Sequence, residues 1–394
     1  MNNYIVDEQL FEWIKGIRRR IHHHPELEFS EFHTASLIGD CLKELGIEYR
    51  SGVAKTGIVA RITVNETSPT VALRADMDAL PIVEETGLSF ASDTKGIMHA
   101  CGHDGHVAIM LGAAALLKKN PPKGNVVFIF QPAEEGIGGA LPMIKEGALD
   151  GVDVIFGGHI DTIFQTGVIG IKQGAISAST DTFEIIIKGK GGHCARPHET
   201  SDVIVIASQL VLNLQTIIAK ETDPLFPSVI SVGVLNAGTV HNAVAHNATL
   251  KGSIRTTDTL IRKKIKTRIK DYISSLSALH DVDISLDIAE GYPPVINHDI
   301  EYEYAKDAAI NMFGEQGFVD IKLPTLGGED FAYFLEKVHG CFVRIGAQKK
   351  DIGYVDGHSS RFDFDEEALR VAASYFAKLV SYTIDKMHNL KIKD

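Results

Sequence analysis

Apolar positions fall at helical spacing in residues 9–21, where Phe11, Ile14 and Ile17 share one face and Arg18, Arg19 and Arg20 take the other, so the stretch is expected to form a surface helix. A second helix is expected over 31–45, closed by Gly46. The pattern then turns to short β-rich runs at 57–64 and 70–73. Two further runs, 125–130 and 152–156, are apolar on both faces. Strands of that kind belong in the middle of a sheet covered by helices, and residues 107–119 supply one such helix. Three of these strands open into polar segments: Arg-Ala-Asp-Met-Asp-Ala-Leu-Pro (74–81), Gln-Pro-Ala-Glu-Glu-Gly (131–136) and Gly-Gly-His-Ile-Asp (157–161). Ligands bind beyond the carboxyl ends of the strands in open α/β sheets, so these segments are expected to converge.

Around residue 180 the pattern changes. Strands are expected at 183–187, 229–235, 248–255 and 282–288, with helices at 203–219 and 260–279, in the β-α-β-β-α-β order of a ferredoxin-like unit. In the longer helix Ile261, Ile265, Ile269, Ile273 and Leu276 follow the helical period, and Arg262, Lys263, Lys264 and Lys266 are assigned to the outer face. Gly291-Tyr292-Pro293-Pro294 marks a boundary. The expected division is therefore a discontinuous first domain, 1–181 with 292–394, and an inserted domain, 182–291. The last segment predicts a helix at 302–312, a glycine-rich stretch at 326–331, a strand at 341–345, a loop at 355–360 and a closing helix capped by Asp365.

Length and charge narrow the class. With 394 residues the chain can form two or three domains. A net charge of -12 leaves no basic footprint for nucleic acid, and the longest apolar run, 107–117, is too short to cross a bilayer. Residues 1–13 carry Asp7, Glu8 and Glu12 with no apolar core of a signal peptide. Cys41, Cys101, Cys194 and Cys341 stand singly, which fits a reducing compartment. The expectation is a cytoplasmic protein acting on a small molecule, with no nucleic-acid or membrane partner.

The densest chemistry lies at 98–106, Met-His-Ala-Cys-Gly-His-Asp-Gly-His. Its side chains suit a borderline-soft divalent metal. Gly102 and Gly105 allow a sharp turn that would bring Cys101 and His103 to one side. A closed structural zinc or a plain polar loop is the bland alternative for such a tract, but no Cys-x2-Cys pair occurs, so further ligands must come from distant positions. His358, just before the closing helix, is one candidate. His22-His23-His24 runs directly into Pro25-Glu26 and is read as native sequence.

These segments resemble the M20 metallopeptidases, and within them the amidohydrolase branch of hippurate hydrolases, N-acyl-amino-acid deacylases and plant auxin-conjugate hydrolases. The resemblance rests on His-Pro-Glu-Leu-Glu-Phe (24–29), Ala-Asp-Met-Asp-Ala-Leu-Pro (75–81), His-Ala-Cys-Gly-His-Asp-Gly-His (99–106), Gln-Pro-Ala-Glu-Glu-Gly (131–136), Gly-Gly-His-Cys-Ala-Arg-Pro-His (191–198), Gly-Gly-Glu-Asp-Phe (327–331) and His-Ser-Ser-Arg-Phe-Asp (358–363), in the family's order. It implies a mixed-sheet α/β catalytic domain of the zinc-peptidase kind, an inserted ferredoxin-like lid and dimerisation domain, and a homodimer or higher oligomer. It further implies two divalent ions, Mn2+ or Zn2+ with Co2+ as an alternative, held by Cys101, His103, Glu135, His159 and His358. Cys101 would lie between the ions, where other branches use an aspartate; the thiolate leans toward zinc and the carboxylate toward manganese.

The resemblance implies Glu134 as the general base for a metal-activated water in the cleavage of N-acyl amino acids, such as N-acetyl or N-benzoyl compounds. Two adjacent carboxylates on an extended segment would point to opposite sides, leaving Glu134 free while Glu135 binds metal. His193 would donate to the oxyanion, reaching across a dimer, and Asn242 and Arg255 would bind substrate, the arginine through its planar fork. Asp78 would orient a ligand, and Asp76 stands where other branches place a metal histidine. His22, His23, His24 and His106 are assigned structural or supporting roles. Departures from the branch pattern, Ile160-Asp161-Thr162 after His159, Asn242-Ala-Val-Ala245, and Cys194 after His193, bear on the acyl pocket and the amino acid accepted. A metallo-dipeptidase of the same family is the alternative; a Cys101 nucleophile and a non-catalytic structural zinc protein are the rivals outside it.

Overall fold

The computed structural model describes residues 4–391. In chain order the first elements are α1 (Glu8–His23), α2 (Phe32–Glu44), β1 (Glu48–Val53), β2 (Gly57–Ile62), β3 (Thr70–Asp76), α3 (His103–Lys119), β4 (Asn125–Gln131), α4 (Ala140–Lys145), β5 (Val154–Gln165) and β6 (Ile169–Ile171). There follow β7 (Ser179–Lys188), α5 (Val203–Thr216), β8 (Ser228–Ala237), β9 (Asn247–Thr256), α6 (Thr259–His280) and β10 (Asp283–Glu290). The chain closes with α7 (Asp299–Phe313), β11 (Phe318–Asp320), β12 (His339–Gln348) and α8 (Glu367–Lys391).

Two compact units emerge. One consists of the described residues of Met1–Gly174, Ile296–Leu323 and Asp330–Asp394, the other of Ala175–Val295 and Pro324–Glu329. The second unit therefore reaches beyond the expected 182–291. Backbone pairing explains the difference: Thr180 N–H donates to Tyr292 O at 2.9 Å, Ile176 N–H to Val295 O at 2.9 Å, and Thr325 N–H to Ile176 O at 3.0 Å. These bonds lace both flanks and a later segment to the start of β7.

The first unit is built on a mixed eight-stranded sheet in the order β1-β2-β4-β3-β5-β12-β6-β11. Its centre, β4-β3-β5-β12, is parallel, and β2 joins β4 antiparallel. Every residue of β3 and β4 is buried, which is why the middle of β4 reads as a continuous apolar run. β1 was not foreseen in the sequence: five of its six residues are exposed, so no apolar alternation marks this edge strand.

Two elements are longer than their patterns predict. β5 does not stop before Gly157-Gly158 but continues through His159 to Gln165. A Cβ at Gly157 would stand 2.8 Å from the Phe331 ring, and one at Gly158 would stand 2.9 Å from Val343 Cγ2, so these glycines make room for neighbours within a strand and do not end it. α3 starts at His103, with Gly102 before it at φ 85°, so residues 103–106 are a first helical turn and not a loop.

The expectation that Arg18 faces solvent fails. The side chain is buried, with Nε 3.2 Å from Asp104 Oδ2, Nη2 2.7 Å from Asp363 Oδ1 and Nη1 3.0 Å from Glu366 Oε1. His22, one turn further along α1, sets Nδ1 2.9 Å from Asp104 Oδ2 and Nε2 3.2 Å from Glu84 Oε1. Burial and the nearby Arg18 oppose a charge on His22, yet the two carboxylates raise it to about 9. A raised imidazole stabilises the fold fully below its unfolded value near 6.5, and that contribution is lost as pH rises through about 9. Stability should fall by on the order of 3 kcal/mol across this window, and a His22→Gln variant should show a flatter profile in urea unfolding between pH 6 and 10.

In the second unit the sheet order is β8-β9-β7-β10, antiparallel throughout, the ferredoxin-like topology that the element order predicts. α5 and α6 supply buried Leu210, Leu214, Ile265 and Ile269 to its core. Arg262 and Lys266 are not on the outer face: Arg262 Nε donates to Asp181 Oδ2 at 2.8 Å, and Lys266 Nζ lies 3.2 Å from the same oxygen. Lys263 and Lys264 remain exposed.

Candidate metal centre

Cys101, His103, Glu134, Glu135, His159 and His358 converge within the first unit. Four separate segments deliver them. Cys101 and His103 bracket the start of α3, Glu134 and Glu135 follow β4, His159 lies within β5, and His358 precedes α8. Potential ligand atoms of Cys101, His103 and His159 lie within 4.8 Å of one another, and so do those of Cys101, Glu135 and His358. Cys101 is common to both sets.

The turn after β4 corrects the expectation of an extended carboxylate pair. Ala133 adopts φ 55°, and Gly138 N–H and Gly139 N–H both donate to its carbonyl at 3.1 Å, so residues 133–139 form a tight turn. Glu134 and Glu135 consequently do not point to opposite sides: one oxygen of each comes within 4.8 Å of His103 and of the other. Glu31 holds this turn from beneath, accepting from Ala133 N–H at 3.0 Å and from the Thr56 hydroxyl at 2.6 Å. Burial pushes the Glu31 carboxyl up to about 7 against those hydrogen bonds.

Hydrogen bonds fix which imidazole nitrogens are available. His103 Nδ1 lies 2.9 Å from Asp78 O and 3.2 Å from Asp78 Oδ1, so Nδ1 carries the proton and Nε2 presents a lone pair. That Nε2 is buried with no hydrogen-bond partner among the described residues, an orphaned acceptor that a cation would satisfy. His159 Nδ1 is 2.6 Å from the Ile160 carbonyl, which turns Nε2 toward Cys101 Sγ at 3.2 Å. His358 Nε2 lies 3.1 Å from Glu135 Oε1. Asp78 also accepts from Glu135 N–H through Oδ2 at 3.0 Å, joining two ligand segments through one carboxylate.

His106 and Asp76 are committed elsewhere. His106 Nδ1 is 2.5 Å from Asp76 Oδ1, and its Nε2 accepts from Ile160 N–H at 2.8 Å. Asp76 Oδ2 accepts from Arg74 Nη1 at 2.6 Å, so both carboxylate oxygens already serve as supports.

The electrostatics suit cations. Burial, then the Glu135 charge, raises the Cys101 thiol well above its ordinary value. Burial depresses His159 well below the ordinary imidazole value, aided by neighbouring His106 and Arg344. His103 is raised despite burial because Asp76 and Asp78 face it, and His358 is raised by its bond to Glu135. A cation would bind the thiolate and neutral imidazoles and release protons as it did so. The borderline N, O and S donor set fits a divalent transition metal, and its sharing of Cys101 fits a pair of them.

Two features escaped sequence reasoning. Arg74, fully buried in β3, donates to Gln131 Oε1 and Asp330 Oδ1 at 2.8 Å each, tying the ends of β3 and β4 to the 327–331 motif. A charged residue in a strand buried on both faces was the available signal, because such a charge needs partners. In the second unit, short antiparallel strands place His193 opposite Ala243, one residue from Asn242. Both His193 and Asn242 are exposed, and His193 Nδ1 accepts from Ala195 N–H at 3.0 Å, which leaves its other nitrogen as a donor. Arg255 is near the far end of β9, roughly 26 Å along the strand from Asn247, and donates to Leu326 O at 3.2 Å.

Fold and site together define a metal-dependent hydrolase of amide bonds. Residues 72–382 match peptidase family M20/M25/M40, and the chain belongs to that family. A Bacillus subtilis N-acetyl-L-cysteine deacetylase is 40% identical over 381 residues, covering 96% of this chain and 90% of its own length. Thermostable carboxypeptidase 1 of Saccharolobus solfataricus is 40% identical over 378 residues, 94% of this chain and 95% of its own. Among solved structures, a Bacillus subtilis dinuclear metal binding peptidase of family M20 superposes with a TM-score of 0.85 at 36% identity, covering 96% of this chain and 99% of that one.

Proposed function

We propose that this protein hydrolyses N-acyl amino acids, with His103 and His159 holding one cation, Glu135 and His358 the other, and Cys101 both. The observation that carries the reading is the pair of ligand sets sharing Cys101, with the carboxylate of Glu134 beside them. Cations bound there would supply Lewis-acid activation of a water and of the scissile carbonyl. Glu134 takes a proton from the attacking water on its carboxylate and delivers it to the leaving nitrogen. Asp78 holds His103 and the Glu135 backbone in place. A soft thiolate at the shared position favours zinc over manganese, and cobalt is a workable substitute.

His193 of the partner subunit, through the nitrogen opposite its Ala195 bond, donates to the carbonyl oxygen as negative charge builds, and Asn242 of the partner subunit assists in binding. Arg255, through its planar fork, takes the carboxylate of the amino acid. The second unit thus serves as lid and dimerisation domain. Its edge strand β8 exposes Val234 and Leu235, and α5 exposes Ile204, Val205 and Leu212, apolar side chains that a second copy would cover. Four free cysteines support a reducing, cytoplasmic setting.

Similarity to a carboxypeptidase favours a second reading, peptide hydrolysis by the same residues. Chelator-stripped protein reloaded with Zn(II), Mn(II) or Co(II) is expected to regain cleavage of N-acetyl, N-benzoyl or N-indoleacetyl amino acids in preference to dipeptides. Cleavage of dipeptides alone would establish the second reading, and inactivity with every metal would refute both.

A further inference from the structure

The histidine run at the end of α1 is only partly absorbed by the buried network. His22 turns inward, whereas His23, the last residue of α1, and His24, its cap, lie beside segment 91–94. Potential ligand atoms of His23, His24 and Asp93 lie within 4.8 Å of one another. The arrangement is held from outside. His23 Nδ1 is 2.7 Å from the Ala91 carbonyl and so carries the proton, which leaves Nε2 with a lone pair. Asp93 N–H donates to His23 O at 2.9 Å, and the Thr94 hydroxyl donates to Asp93 Oδ1 at 3.1 Å. The other oxygen, Oδ2, stands 2.9 Å from His24 Nδ1. The His33 ring meets His24 edge-on, with centroids 5.0 Å apart.

Three independent features favour a cation here. An imidazole whose Nδ1 bonds a backbone carbonyl is oriented as metal-bound histidines are. The carbonyl end of a helix carries partial negative charge. Two imidazoles and a carboxylate match the preferences of zinc, whereas magnesium and calcium prefer oxygen alone. We propose that His23, His24 and Asp93 form a peripheral site for one Zn(II) ion. It shares no ligand with the centre around Cys101. Zinc there would clamp the end of α1 to segment 91–94.

The test is a count of zinc per chain, by native mass spectrometry and elemental analysis, on holoenzyme equilibrated with excess Zn(II). Wild type is expected to bind one ion more than a His23→Asn/Asp93→Asn double variant, with hydrolytic activity unchanged. A Thr94→Val variant, which removes only the bond to Asp93 Oδ1, should bind the additional ion about 10-fold more weakly. Anomalous scattering at the zinc edge should show a peak between His23 and His24. Equal stoichiometry in wild type and double variant, or anomalous peaks confined to the Cys101 centre, would overturn the proposal.

Discussion

A Glu134→Gln variant is expected to lose about 10²–10⁴-fold in kcat while remaining folded and metal-loaded. The amide preserves size and burial but can neither take a proton from the attacking water nor return one to the leaving nitrogen. Glu135, its neighbour, cannot substitute, because it already meets His358 at 3.1 Å and its charge would be engaged by a cation. Steady-state kinetics paired with metal analysis checks this. Activity within a few-fold of wild type would place the base elsewhere, and lost metal would make Glu134 a ligand instead. The same pair of readouts separates the rivals: a Cys101 nucleophile would survive chelation, and a structural zinc protein would have no activity to lose.

The second large effect falls on stability. Arg18→Met should destabilise the protein by about 3–5 kcal/mol, because it strips the buried cation that three carboxylates share and leaves Asp104, Asp363 and Glu366 only their second partners, His22, Lys349 and Arg19. Methionine fills the volume, so the loss is electrostatic and not a cavity effect. Urea unfolding should show a lower midpoint with an unchanged slope. Destabilisation below about 1 kcal/mol, the range of exposed ion pairs, would mean that the three acids are relieved by water or by protonation.

The fold was legible wherever one interaction dominates a stretch of chain. Burial on both faces announced β4 and the first half of β5, and the 3.6-residue period announced α6. Of the site, the Cys/His tract at 98–106 was legible from residue types, whereas the set Cys101, His103, Glu135, His159 and His358 was implied only by the resemblance of separate motifs to a family. What stayed hidden depends on partners distant in sequence. Gly157-Gly158 suggests the end of a strand until Phe331 and Val343 are seen to need the space. Arg18 suggests solvent until Asp363, at the other end of the chain, is placed beside it. Adjacent Glu134 and Glu135 suggest opposite faces until the left-handed Ala133 turns both inward. Each error comes from reading a local pattern where a remote contact decides.

The spread of the ligands from Cys101 to His358 also sets an order of assembly during synthesis. The second unit, almost all of it between Ala175 and Val295, has its core strands and helices well before His358 leaves the ribosome. The first unit must wait: Val6 N–H bonds Ser374 Oγ at 3.1 Å and Arg18 needs Asp363, so the earliest helix translated is secured only by the last. With the ligand set proposed above, Cys101 and His103 would meet a cation early, but the cage would close only when the final stretch arrives. A nascent chain stalled before residue 358 would carry a folded insert and an unfinished, metal-exchanging centre.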